Sequence, residues 1–324
     1  MTPKPYFTIL LLLITAFAKA QQADTAQAIV HYKFTHVRDT LNKDKPLNEN
    51  MMLLIGRNAS WYKSYDRKQR DDQMRKNLMA QLSSGTGNIN MPPAGAPLGP
   101  NVEYFQFPNE KKFFSKERMF NNYIVEEAMP VLNWKISADT ATFKGLQCQK
   151  ATTRFKGRDY TAWFCADLPY RAGPWKLNGL PGLIVEAYDS KKEVVFAFDG
   201  LEKVDPNQVP APANNAPTGM GGRTIVMSSS SDNGSQDPNL IALPKNGIKT
   251  TAKELAELKK IAEKDPQAFA QSQMAAMQAQ MGGSVRFSGG GGAGGAGSPT
   301  VTMRQVSPTA QTVINNPIEL PEKK

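Results

Sequence analysis

LQCQKATTRFKGRDYTAWFC, residues 146–165, is the stretch that decides the fold of this chain. Two runs rich in threonine and aromatic residues flank Lys156-Gly157, and glycine supplies the positive φ that a two-residue hairpin loop demands. With that loop, Phe155 faces Arg158, Arg154 faces Asp159, Thr152 faces Thr161, Lys150 faces Trp163 and Cys148 faces Cys165. One face then carries an ion pair, a threonine pair, a cation–π pair and two sulfurs. The pair beside the loop is hydrogen-bonded and pair types alternate along the ladder. Cys148 and Cys165 therefore meet at a non-hydrogen-bonded position, where side chains approach most closely. That geometry accommodates a disulfide. The alternatives are a reduced buried pair, or a loop of another length that misaligns the cysteines. The two cysteines lack CxxC spacing, which argues against a redox role.

The same pattern continues on both sides of this hairpin. Residues 28–39 alternate apolar and polar positions, and 51–66 reads as two strands around Gly56-Arg57-Asn58. Further strands are expected in VEYFQF, ERMFNNYIVEE, VLNWKIS, GLIVEAYD and EVVFAFDGLEKV, between Val102 and Val204. The period changes over 66–82, where Met74, Leu78 and Leu82 form a narrow helical stripe. A second helix is expected over 250–264, with a capping box from Thr251 to Glu254. Asp265-Pro266 ends it and starts a third helix running to about Gly282. The fold class is mainly β: an antiparallel sheet or partly open barrel-like domain, with a few peripheral α-helices and long low-complexity inserts. The expected organisation is a signal peptide (1–20) and a β-rich domain (21–204) with a helical and Pro/Gly-rich insert at about 66–101. A flexible linker (205–250), a helical segment (251–281) and a Gly-rich linker (282–299) follow. VTMRQVS returns an edge strand within 300–324, and the tail from Pro308 is loosely held.

GPWKLNGLPGLIVEAYD, residues 173–189, concentrates glycine and proline just before an apolar run. A phosphate loop needs its glycines to open a helix with Lys-Ser/Thr beyond them, and here a strand follows. A nucleophile elbow needs Ser or Cys between the glycines, where this chain has Leu180 and Pro181. Leu180-Pro181-Gly182-Leu183 fits a type II turn with Gly182 at positive φ, and Gly179 allows close approach of the chain. The motif Gly179, Leu180, Pro181, Gly182, Leu183 and Ile184 is thus a structural corner, or a binding surface made by its apolar side chains.

These residues, with the GPW before them, KATTRFKGRDYTAWF and the closing NNPIEL, resemble the GLPGLI family. The resemblance spans about 28–204 and the tail, and leaves 67–100 and 205–306 as additions. It implies a β-rich exported protein of a Gram-negative envelope, with TonB-dependent outer-membrane receptors as associates. It carries no catalytic residues to transfer.

MTPKPYFTILLLLITAFAKAQQ opens with Lys4, an apolar run and Ala18-Lys19-Ala20, the pattern of a secretory signal cleaved near Ala20. The run is too short for a span of about 20 residues, so a soluble periplasmic location is expected. The net charge of +10 loses Lys4 and Lys19 on cleavage. The remainder fits an acidic partner or, more plainly, solvated surface lysines; nucleic acid is not expected for an exported chain. His31 and His36 lie five apart and point to opposite faces of a strand, which disfavours a shared metal. Met274, Met277 and Met281 form a helical stripe that suits Cu(I) or an apolar contact face. No catalytic residue, cofactor or metal is assigned. The expected function is a non-catalytic envelope binding or accessory component; a carrier of an apolar ligand is the alternative, and Cu(I) binding the third.

Overall fold

The computed structural model describes residues 23–83, 99, 101–119, 121–205, 237–280 and 314–322. Its strands are β1 (Asp24–Thr25), β2 (Ala28–His36), β3 (Leu47–Ile55), β4 (Ser60–Ser64), β5 (Val102–Phe107), β6 (Lys112–Arg118) and β7 (Asn122–Ala128). They continue as β8 (Lys135–Phe143), β9 (Leu146–Phe155), β10 (Arg158–Cys165), β11 (Leu183–Asp189), β12 (Val194–Lys203), β13 (Leu240–Ile241) and β14 (Ile248–Thr250). The helices are α1 (Tyr65–Ser83), α2 (Ala252–Lys264) and α3 (Pro266–Gln280). The expected mainly β class holds. Twelve strands form one sheet in the order β14-β7-β6-β5-β4-β3-β2-β12-β11-β10-β9-β8, antiparallel except for β14 on β7. The sheet does not close, because β14 and β8 end its two edges.

The β9–β10 hairpin, next to the β8 edge, has the register derived from the sequence. Arg158 pairs with Phe155, Thr161 with Thr152 and Trp163 with Lys150. Lys156 and Gly157 have φ of 49° and 72°, the two left-handed residues of a primed turn. Cys148 and Cys165 are disulfide-bonded with Cα atoms 4.2 Å apart, the close spacing of a non-hydrogen-bonded pair. Lys150 departs from expectation: it pairs with Asp139 at 3.1 Å, and the Trp163 ring meets Phe143 instead. A carboxylate within reach attracts an ammonium more strongly than an exposed ring does.

Alternation then explains the core. Val30 and Tyr32 on β2, Leu53 on β3 and Phe196 on β12 enter one cluster, and Met52, Leu54, Trp61 and Phe105 enter a second on the opposite face. The loop from Ala166 to Gly182 fills the first face. Its Trp175 ring stacks on Phe196 of β12 and meets Phe155 and Tyr160 on β9 and β10, while its carbonyl accepts from Gln106 on β5. One residue touches strands that far apart in sheet order only because the sheet curls around the loop. Trp175 itself has φ of 54°, a strained value for a bulky residue, imposed by packing on all sides.

Several boundaries differ from the sequence reading. ERMFNNYIVEE is not one strand: the chain reverses between β6 and β7, with the Met119 N–H donating to the Asn121 carbonyl. Asn121-Asn122 supplies the turn chemistry that breaks the run. The 131–134 part of VLNWKIS is not strand. Met74 on α1 is 39 % exposed instead of buried, and the side chains of Leu78 and Leu82 lie outside the described residues. The capping box at Thr251 and Glu254 is present, and the Asp265 carboxylate caps α3 through the Ala268 N–H at 2.9 Å. No described helix is long and apolar enough to cross a membrane. The signal-peptide and VTMRQVS expectations fall outside the described residues, as do Met281 and the side chains of Met274 and Met277.

Candidate functional site

The GLPGLI corner turns its leucines and isoleucine inward and leaves Gly179 and Pro181 exposed. Leu180 is 1 % exposed, and Leu183 and Ile184 are fully buried, so these side chains present no surface to a partner. The turn chemistry also differs from expectation, with the two glycine roles exchanged. Gly179 takes the positive φ, 91°, and Gly182 does not. Gly182 instead lies against β10, where a Cβ would stand 2.3 Å from the Cys165 carbonyl oxygen. No type II turn forms at 180–183. The corner is held through its backbone: Tyr32 donates its hydroxyl to the Ile184 carbonyl at 2.6 Å, and Trp134 Nε1 donates to Asn178 at 2.7 Å. Burial drives the Tyr32 phenol upward in pKa, keeping it a neutral donor.

The described polar groups converge elsewhere, around Arg158. This side chain opens β10 directly after the hairpin turn and is 2 % exposed. Its Nη1 pairs with Asp189 at 2.7 Å and reaches Glu193 at 3.5 Å, both flanking the β11–β12 turn. Asp189 is itself fixed by that turn, since its Oδ1 accepts from the Glu193 and Val194 N–H groups at 2.7 and 3.0 Å. The remaining Arg158 donors face residues 314–322. Nη2 donates to Asn316 Oδ1 at 2.6 Å and the Pro317 carbonyl at 2.8 Å, and Nε to the Ile318 carbonyl at 3.0 Å.

Asn316 is the anchor of this segment, 5 % exposed while its neighbours Asn315 and Pro317 are exposed. Its Nδ2 donates to the Val37 carbonyl at 2.7 Å and to Glu193 at 3.1 Å, and its backbone N–H donates to Arg38 at 3.0 Å. Its carbonyl accepts from His36 Nε2 at 2.8 Å, which places the imidazole proton on Nε2. Burial pulls the His36 pKa down to about 4, helped by the Arg158 and Arg38 charges and opposed by the Asn316 hydrogen bond and Asp189. His31, on the other face, lies 3.2 Å from Glu202.

Beyond the anchor, Glu319 bridges Lys176 at 2.9 Å and Lys156 at 3.2 Å. Burial works to raise its carboxyl, but the two lysines hold it below the ordinary value. Leu320 N–H donates to the Lys156 carbonyl at 3.0 Å, and the Gly157 N–H donates to Glu322 at 2.8 Å. The expectation of a loose tail therefore fails for 314–322, which forms a strap across four strand ends. The sequence reading missed Arg158, Asp189, Glu193 and Asn316 as a unit. Its available signal was the turn-forming Asn315-Asn316-Pro317, too short to name a partner.

A cleft of about 220 Å³ opens beneath α2, lined by Tyr104, Val125, Glu127, Lys176, Leu255 and Lys259 among others. It falls below the roughly 300 Å³ at which small-molecule sites begin. Its charges are already engaged: Lys176 with Glu127 and Glu319, and Lys259 with Glu117. On the opposite face, Lys116 pairs with Glu103 at 2.7 Å, and Trp61 Nε1 donates to the same carboxylate. Among the described residues, no group of three or more His, Cys, Asp or Glu side chains is arranged to hold a metal.

Fold and site together define an open antiparallel sheet wrapped around an internal loop and closed over by a C-terminal strap. A family model described as a protein of unknown function (Porph_ging) matches residues 121–186, from the β6–β7 turn through the GLPGLI motif into β11. No curated protein matches the chain. Similar solved structures include PNGF-II in the P21 space group, 12% identical over 56% of this chain, with a TM-score of 0.39. PNGF-II in the C2 space group is 14% identical over 56% of this chain, with a TM-score of 0.38. This chain spans 29% and 28% of those two chains.

Proposed function

We propose that this chain is an exported, non-catalytic binding or accessory component of the cell envelope, periplasmic in a Gram-negative cell. Its partner is an envelope protein, and the resemblance to the GLPGLI family points to a TonB-dependent outer-membrane receptor. The observation that supports a binding role is the cluster around Arg158, which holds the chain's own segment 314–322 through two backbone carbonyls and one asparagine side chain. The charged start, apolar run and Ala18-Lys19-Ala20 support export, and a disulfide fits an oxidising compartment. The Leu180, Leu183 and Ile184 side chains do not serve as the contact surface in this reading, because the core encloses them.

The carrier reading would use the inner face of the sheet, and Ala172, Trp175, Leu177 and Leu180 fill that face. Crosslinking in intact cells followed by purification and mass spectrometry tests the binding proposal. An outer-membrane receptor enriched over an untagged control is expected; recovery of no envelope protein would remove the proposal's basis.

A further inference from the structure

The strap is held mainly by polar contacts. Those of Asn316 with Arg158, His36 and Glu193 are buried, Ile318 packs partly on the main core, and the outer attachments at Lys156 and Gly157 are exposed to water. The socket, in contrast, is built without the strap. Asp189 is fixed by the N–H groups of its own turn, Arg158 is fixed by Asp189, and Lys156-Gly157 is fixed by the hairpin. The strap reaches this preformed site from far along the chain, since residues 281–313, including GGSVRFSGGGGAGGAGSP, separate it from α3.

We infer that the socket is a peptide-binding site selective for an Asn-Pro segment, and that it accepts the strap of a second copy of this chain as it accepts its own. Backbone recognition comes from Arg158, which donates to the carbonyls of Pro317 and Ile318. Selectivity comes from Asn316, whose amide oxygen accepts from Arg158 while its nitrogen donates to Val37 and Glu193. Aspartate there loses both donors and sets a carboxylate against Glu193. Alanine leaves buried donors and acceptors unpaired. Lys156 and Lys176 select an acidic residue three positions after the asparagine. An identical segment from another copy meets every one of these requirements, which is the condition for exchange between protomers.

Covalent attachment gives the chain's own strap an effective concentration on the order of millimolar. A trans ligand competes poorly until the resident strap is weakened. The experiment therefore uses the full chain carrying Asn316→Ala and a fluorescent synthetic peptide of residues 314–322, read by anisotropy. The peptide is expected to bind saturably, at least ~10-fold more tightly than the same peptide with Asn316→Asp, and ~10-fold more tightly to the variant than to the wild-type chain. Wild-type chain in place of the peptide is expected to form a one-to-one complex with the variant by light scattering. Absent or unselective peptide binding overturns the assignment. So does a variant without a cooperative melting transition, because the strap is then part of the fold and not a ligand. A purely monomeric mixture at millimolar concentration overturns the second copy as occupant. The inference is read on purified protein and stands apart from the envelope proposal, which is read in cells.

Discussion

Gly182→Ala separates the two jobs that glycine does at the corner. The added Cβ would stand 2.3 Å from the Cys165 carbonyl oxygen and 2.7 Å from its carbon, whereas ordinary contact begins at 3.4 Å. Relief demands a relative displacement of about 1 Å between the end of β10 and the start of β11. The movement falls on the Cys165–Leu183 register pair, and the disulfide to Cys148 restrains Cys165 from the other side. Overpacking of this kind costs roughly 1–3 kcal/mol, and a weakened hydrogen bond at the strand start adds about 1. We expect a loss near 3 kcal/mol, a fall in Tm of roughly 6–12 °C for a domain of this size. Gly179→Ala is the control. Its nearest neighbours are Trp134 ring atoms 3.9 Å away, so the cost is the φ of 91° alone, about 1–2 kcal/mol. Urea unfolding of the oxidised protein, with midpoint and slope both fitted, measures each. The close-approach argument is refuted if Gly182→Ala is within ~0.5 kcal/mol of wild type, or if Gly179→Ala proves the costlier change.

Three further outcomes follow from the same geometry. Leu180→Ala should cost about 2–5 kcal/mol and Leu180→Asp should prevent stable folding, because the side chain is 1 % exposed; a Leu180→Asp protein that melts like its parent contradicts the buried corner. Acid should weaken the strap through His36, whose pKa is about 4 folded against 6.5 unfolded. The unfolded chain then binds the proton first, so this stabilisation is complete above pH ~6.5 and is lost as pH falls toward ~4, by at most about 3 kcal/mol. Replacing His36 with Gln should flatten that part of the stability–pH curve, and an unchanged slope argues against the assignment. Reducing the Cys148–Cys165 disulfide, which joins residues 17 apart, should lower stability by about 3 kcal/mol, checked by denaturation with and without reductant.

Much of the sheet was legible because its signals are local. A hairpin loop of two residues fixes the pairing of every residue behind it, which is why the Cys148–Cys165 bond followed from Lys156-Gly157. The Thr251 capping box and the Asp265 cap are likewise contained within one turn of chain. The β6–β7 reversal was misread because apolar residues on both sides of Asn121-Asn122 disguise a turn as one strand. The glycine roles at 179 and 182 were exchanged for a different reason. Proline–glycine spacing suggests a turn type, but whether a glycine serves φ or clearance depends on what lies opposite, and opposite Gly182 lies the Cys165 backbone.

By itself, then, the sequence determined many of the strands between Ala28 and Lys203, the hairpin register and the mainly β class, since periodicity and turn chemistry act between near neighbours; the short β13 and β14, inside the stretch read as a flexible linker, escaped it. It did not contain the curl of the sheet around Trp175 or the meeting of His36, Arg158, Asp189, Glu193 and Asn316. Those residues are scattered along the chain, and no period or spacing relates them. Only the closed tertiary packing brings Asn316 to Arg158, because a buried guanidinium must find acceptors for its donors and the strap supplies the ones the sheet lacks.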